Sequence, residues 1–287
     1  NNNKEHKGEY NANNYKNRSY NNQPSRSFMN PNYKTIFQNE NTYTADQIIR
    51  KQLINYLYLM TKNCNRDYKI MESTQDLEYL SKNKYFMFPN YKGIPGFLVF
   101  IKICEDYYSC IVDRTSLKYN KTEPDYDNVK IIPIKARVCE DIYSGTIMDG
   151  VFNMGSTTGF GAKPTFYIDD VLYLGGNNVF NSKITNKNIN LNSYLSHCYI
   201  NDDQLGTINL KTNTIYEIDE IRNLVDFIKD KRYIKGITFY PEITGTKLLY
   251  IDRNTDYNVF TNNTSTASNN NSQSSGFSDE DDEDDDN

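Results

Sequence analysis

The chain has 287 residues, a formal charge of −5, five Cys, two His and no Trp. His6 and His197, with no C-x-x-C pair among Cys64, Cys104, Cys110, Cys139 and Cys198, leave almost nothing from which to build a His-centred triad, a zinc site or a disulfide framework. Reduced, mostly buried thiols in an intracellular protein of the nucleus or cytoplasm are expected; no apolar run reaches the ~20 residues of a membrane span and no charged-then-apolar signal stands at the start, so a membrane is not expected as a partner.

Residues 1–43 are Asn-rich, polar and mildly basic. They carry too little apolar surface to offset the entropy of ordering and are read as a disordered head. The folded domain is expected over 44–255. Its first stretch, TADQIIRKQLINYLYLMTKN, puts Ile49, Leu53, Leu57 and Met60 on one helical face after a Thr44 N-cap. A shorter helix follows in STQDLEYLSKN, where Ser73 and Asp76 have the spacing of a capping box. The pattern then turns to strands. YFMFP, GFLVFIKI and YYSCIVD are aromatic and β-branched, and the CED between the last two is short enough for a hairpin.

Further strands are predicted in VKIIPI, GTIMDGVF, TFYIDDVLYL, GITFYPEI and KLLYID. Between them, YEIDEIRNLVDFIKDKR spaces Ile218, Ile221, Val225 and Ile228 as an amphipathic helix. This order implies an α+β fold with helices packed on a curved antiparallel sheet. Residues 256–287 are a low-complexity Asn/Ser spacer ending in eight consecutive carboxylates, Asp279 to Asp286. Setting those eight aside turns the formal −5 into +3 for the rest, so the body is near neutral and slightly basic. The tail is read as solubilising, or, with the head, as a tether for a protein partner.

The segments IVDRTSLKY, GTIMDGVFN, PTFYIDDVLYL and IKGITFYPEITGTKLLYID, in this order, resemble the nucleotidyltransferase domain of mRNA capping guanylyltransferases. That family has a strand ending in DR, then TLLDGE, YLIYD, EGLIF.P and a closing LLKWK. The resemblance runs from about 88 to 252 and implies the nucleotidyltransferase (ATP-grasp-like, capping-enzyme) fold with curved antiparallel sheets. Only Asp252 to Thr261 separate the last strand from the spacer, so no OB-fold is expected to follow.

Transfer chemistry in that family needs a Lys nucleophile, carboxylates that hold a metal on the phosphates, and cations for the leaving pyrophosphate. The counterpart of the K-x-D-G-x-R nucleophile motif is KGIPGF: Lys92 is retained, but Ile94, Pro95 and Phe97 replace the Asp, Gly and Arg. In TIMDGVF, Asp149 and Gly150 match, while Val151 stands in place of a Glu. In FYIDDVL, Asp170 matches, and Phe166 and Tyr167 occupy the region that packs on guanine; on a strand only one of the two can face a ligand. The family's EG becomes Lys235-Gly236, and both lysines of LLKWK are lost.

The resemblance therefore implies a guanosine pocket without transfer chemistry, as in the similar snurportin cap-binding domain, which also lacks the lysine motif and the OB-fold. The expected ligand is a guanosine nucleotide or the 5′ cap of an RNA, not DNA. Lys92, Asp149, Gly150, Phe166, Tyr167, Asp170, Lys235 and Lys247 are the expected nucleotide or cap contacts, and Arg114 an RNA or phosphate contact. No catalytic residue, metal or other cofactor is expected. Two alternatives remain: an active guanylyltransferase using Lys92 with Mg2+ or Mn2+, and a scaffold subunit of an RNA-processing complex.

Overall fold

The unbroken apolar run Phe97 to Ile101 is buried throughout, which calls for a strand covered on both faces. In the computed structural model, which describes residues 45–251 apart from 65–66, 120–122, 156–162, 203, 205 and 244, that run lies inside a seven-stranded sheet. The expected head (1–43), the spacer and tail (256–287) and the Thr44 cap lie outside the described residues.

The elements are α1 (Ala45–Thr61), β1 (Tyr68–Ile70), α2 (Glu78–Lys82), β2 (Tyr85–Tyr91), β3 (Ile94–Ile103), β4 (Asp106–Asp113), β5 (Ile131–Pro133), β6 (Arg137–Val138), β7 (Ser144–Asn153), β8 (Thr165–Leu174), β9 (Asn177–Asn178), α3 (Ile184–Cys198), β10 (Tyr199–Ile200), β11 (Asn209–Thr212), α4 (Ile221–Ile228), β12 (Ile234–Pro241) and β13 (Lys247–Ile251). The large sheet has the order β11-β8-β7-β3-β4-β5 with β9 beside β8; the smaller is β1-β13-β12-β2, and β6 pairs with β10. The fold is α+β, as expected. Pairing is mostly antiparallel, but β11 joins β8 and β1 joins β13 in parallel, two pairings the sequence pattern did not reveal.

Alternation along β3 divides two cores. Leu98 and Phe100 join Met148 of β7 and Leu191 and Leu195 of α3. Phe97 and Val99 join Ile147 and the α1 residues Leu53, Ile54 and Leu57, with Ile49 and Met60 at the margin, as expected for that helix. The turn between β3 and β4 places Cys104 and Glu105 at φ 48° and 69°, the left-handed pair that a two-residue hairpin requires. Ahead of α2, the Ser73 amide donates to Asp76 Oδ2 at 3.0 Å, as the capping spacing predicts.

Two helices differ from expectation. α3 was not predicted, because Asn186, Asn188, Asn190 and Asn192 are poor helix formers and a lysine takes one of its core positions. Yet Ile184, Lys187, Leu191, Leu195 and Cys198 are buried at helical spacing. In α4 three of the four expected stripe residues face outward: Ile218, Ile221 and Val225 are 40%, 43% and 46% exposed, while Ile228 packs on the core and Leu224 is fully buried. Ile218 belongs to a preceding 3-10 turn and is out of phase with the α-helix. The larger pair Leu224 and Phe227 packs instead on Met87 and Tyr216.

The small sheet also has two faces. Tyr85 and Met87 of β2 lie with Leu224, whereas Phe86 and Phe88 lie with Tyr240 of β12 and Ile184 of α3. The sheets are connected directly by Lys92-Gly93, between β2 and β3. Among the described residues no helix is long and apolar enough to cross a membrane.

Candidate functional site

The link between the sheets is fixed on both sides. The Lys92 amide donates to the Tyr233 carbonyl at 2.8 Å, and Asn153 Nδ2 at the end of β7 donates to the Lys92 carbonyl at 2.9 Å. Gly93 has φ +152°, and a Cβ there would lie 2.3 Å from the Phe152 carbonyl oxygen, so only glycine allows the chain to pass this close. The half-buried Lys92 side chain is thus carried by a backbone anchored to two sheets.

Two β-bulges add charge to the same region. Along β8, Asp170 pairs with Asp149 but Ile168 pairs with Gly150, which leaves Asp169 as an extra residue. Along β12, Ile234 pairs with Tyr91 and Gly236 with Asn90, which leaves Lys235 as an extra residue. A bulge breaks alternation and re-aims a side chain. Lys235 and Asp169, from different sheets, come within electrostatic reach of one another, with Arg114 and Lys92 beside Lys235. Burial first, and then the cations Arg114 and Lys92, push the Lys235 amine below its ordinary value, against the pull of Asp169.

Asp149 is the best-neutralised carboxylate here. Arg114 Nη1 donates to its two oxygens at 2.6 and 2.7 Å, and Lys247 Nζ donates to Oδ2 at 3.0 Å and to the Tyr240 hydroxyl at 3.2 Å. Burial raises the Asp149 carboxyl, but Arg114 and Lys247 together outweigh it and hold the group below its ordinary value. Arg114 can reach because Asp113 caps the turn that follows β4, accepting from the Thr115 amide at 2.9 Å. Asp170 accepts from Lys187 Nζ at 3.0 and 3.3 Å; burial nevertheless raises its carboxyl above the ordinary range.

Asp169 has weaker support. Asn213 Nδ2 donates to its Oδ1 at 2.7 Å. Burial pushes the Asp169 carboxyl up to about 6, and nearby Asp149 adds to the rise. A cavity of about 30 Å3 borders Asp149, Asp170, Lys187, Tyr240 and Lys247, room for about two waters.

An aromatic column stands beside the charges. Tyr91 and Tyr167 stack with centroids 3.6 Å apart and planes 7° apart, and Tyr233 lies parallel to Tyr91 at 6.1 Å. Val151 packs on the cluster of Tyr91, Tyr167 and Ile234.

The structure brings together Lys92, Arg114 and Lys235 of the expected set, and Arg114 shares the Asp149 carboxylate with Lys247. It gives others different roles. Phe166 is fully buried in the core under α3, because its neighbour Tyr167 takes the opposite face. Tyr167 has one ring face covered by Tyr91. Lys247 and Asp170 are committed to the ion pairs with Asp149 and Lys187, and Gly150 allows the close approach of two strands, since a Cβ there would lie 2.1 Å from the Tyr167 carbonyl oxygen. Asp169, Lys187, Asn213, Tyr91 and Tyr233 were missed by sequence reasoning. The doublet Asp169-Asp170 was the available signal, because a strand alternating strictly would send one of two adjacent carboxylates into an apolar core. Among the described residues no group of three His, Cys, Asp or Glu side chains is arranged to hold a metal ion.

No protein-family model matches the chain. It is 25% identical over 219 residues to "Uncharacterized protein L308" of Acanthamoeba polyphaga mimivirus, a match that takes in 76% of this chain and 64% of that protein. Among solved structures it is similar to a mycobacterial DNA ligase D complexed with ATP and MES, with TM-score 0.38, 10% identity and coverage of 66% of this chain and 60% of that one. It is also similar to the ligase domain of Mycobacterium tuberculosis LigD, with TM-score 0.36, 9% identity and coverage of 65% and 59%. The chain therefore spans less than two thirds of the length of each of these proteins.

Proposed function

We propose that this chain is a nucleotidyltransferase-like domain that binds a guanosine nucleotide, or the guanosine cap at the 5′ end of an RNA, between its two sheets without transferring it. The observation that carries the reading is the gathering of Arg114, Lys92 and the carboxylate Asp169 within electrostatic reach of Lys235. Arg114 and Lys247 are neutralised in part by Asp149, but Lys92 and Lys235 add further positive charge. An excess of cations at a partly desolvated place suits a polyphosphate. The outer end of the Tyr167-Tyr91-Tyr233 column offers a ring for a base, and stacking of this kind needs no Trp.

Two observations favour binding over transfer. Val151, where the resembling family has a Glu, is engaged in an apolar cluster with Tyr91 and Tyr167. Asp149 is saturated by Arg114 and Lys247, which leaves little of its charge for a cation on the phosphates.

The test is equilibrium binding of labelled GTP and of the cap dinucleotides GpppG and m7GpppG, with incubation of the chain with α-labelled GTP or ATP and Mg2+ or Mn2+ alongside. Saturable binding, weakened about tenfold by Lys92→Ala or Lys235→Ala (roughly 1.4 kcal/mol), is expected without a covalent adduct. An adduct lost on Lys92→Ala would establish transfer instead. Failure to bind any of these ligands would leave the scaffold role.

A further inference from the structure

Asn213 is 2% exposed and its orientation is fixed by two acceptors: Nδ2 donates to the Pro89 carbonyl at 3.0 Å and to Asp169 Oδ1 at 2.7 Å. Turning the amide over would place its oxygen against both of those oxygens. In the orientation it holds, Oδ1 is buried and no donor among the described residues reaches it. A buried acceptor left without a donor is costly. The group next to it is a carboxyl, which can supply the missing donor only as the neutral acid: its O–H can then turn to Asn213 Oδ1 while its other oxygen accepts from Nδ2, as in an acid–amide pair.

The remaining neighbours of Asp169 come from several strands. Asp149 of β7 opposes its ionisation, while Lys247 of β13 and Arg114 favour it, although both of these are already paired with Asp149. From β12, Lys235 and Tyr240 face it, and Tyr91 of β2 lies within reach. Asp170 follows it in the chain and is paired with Lys187. Lys235 is therefore the cation whose compensation falls most to Asp169. A phosphate arriving at Lys235 and Lys92 would take over that role, and its negative charge would disfavour a carboxylate beside it.

We propose that Asp169 is the internal counter-ion of this site and is protonated as the ligand's phosphates bind at Lys235, so that binding takes up a proton from solvent. The carboxylate gains the proton, its O–H satisfies Asn213 Oδ1, and Lys235 pairs with the phosphate. This rests on the anion-binding reading above and adds to it a coupling between occupancy and pH. The position of Asp169 supports it: with a carboxyl already raised to about 6 by burial, the added anion moves the titration into the neutral range.

The probe is GpppG, which has no terminal phosphate monoester to titrate near neutrality. Its Kd is measured between pH 6 and 8, and its binding heat at pH 7.5 is compared in two buffers of different ionisation heat. Weakening as pH rises above 6, with net uptake of a fraction of a proton at pH 7.5, is expected. Asp169→Asn, which keeps an acceptor for Asn213 Nδ2 and a donor for Oδ1, is expected to bind with the same Kd across this range, near the wild-type value at pH 6. A flat wild-type profile with GpppG bound overturns the coupling and leaves the binding reading standing. A slope that persists in Asp169→Asn assigns the proton elsewhere and also overturns it. No binding by either protein at pH 6 overturns both readings.

Discussion

Asp149 and Asp170 stand directly opposite one another on neighbouring antiparallel strands, an arrangement in which like charges repel. Each is held by its own cations: Asp149 by Arg114 and Lys247, and Asp170 by Lys187 from α3. The pairs tie the turn after β4, the small sheet and α3 to the same two strands. Because Arg114 and Lys247 would be left uncompensated and partly buried, Asp149→Ala is expected to lose about 3–5 kcal/mol of stability by urea denaturation. Asp149 has a lowered carboxyl in the folded state. Its contribution is therefore present above the ordinary value of 3.8 and is lost as pH falls through the folded value.

The sign is opposite for Asp169. Its carboxyl is raised from 3.8 to about 6, so between those values the folded state holds more protons than the unfolded state and stability falls as pH rises. Each tenfold difference in proton affinity between the two states is worth about 1.4 kcal/mol. Asp169→Asn is therefore expected to stabilise the protein at pH 7.5 by roughly 2–3 kcal/mol, and to change it little at pH 4. Equal effects at both pH values in urea melts would refute this.

Gly150 allows β7 and β8 to approach closely. A methyl group there would meet the Tyr167 carbonyl oxygen at 2.1 Å, and a backbone atom in the middle of a ladder cannot move aside as a flexible side chain would. Gly150→Ala is expected to cost about 3 kcal/mol or more. Thermal unfolding would then shift down by roughly 6 °C or more for a domain of this size.

Tyr233 and Tyr167 should separate binding from folding. Tyr233→Ala removes the outer ring of the column and is expected to weaken GpppG binding by about 1–3 kcal/mol, roughly 5- to 150-fold in Kd, with a smaller effect on stability. Tyr167, 8% exposed and stacked on Tyr91, is expected to cost mainly stability when replaced by Ala, about 3 kcal/mol. Tyr233→Phe should retain binding, since the ring supplies the contact. Circular dichroism melts and calorimetric titration of the three variants would show whether the two effects divide in this way.

The long strands were legible because each is a run with its own composition, whereas the short β1, β6, β9, β10 and β11 carry no such pattern. GFLVFIKI reads as a strand from its aromatic and β-branched residues, and CED is short enough for a hairpin turn. The helix α1 was legible for the same reason, since Leu53 and Leu57 have a single partner face to meet. α4 was found but rotated. Its sequence offers two apolar stripes, and the choice between Val225 and Leu224 was made by the shape of Met87 and Tyr216 opposite. α3 was missed because its core lysine, Lys187, has meaning only beside Asp170 on a strand 17 residues away.

The amino-acid sequence alone determined the α+β class, the positions of the long strands along the chain, and the retention of Lys92 and loss of the Glu at Val151, because these depend on residue type and local periodicity. It could not determine the site. Lys235 and Asp169 come within electrostatic reach of one another because each occupies a bulge, in β12 and β8 respectively, and a one-residue slip in a ladder leaves no local signature. Which of Phe166 and Tyr167 faces the cleft was likewise fixed by pairing with β7. The balance of charge among Asp149, Asp169, Arg114 and Lys235 arises only when two sheets come together, since burial and Coulomb forces depend on distance in space and not on separation along the chain.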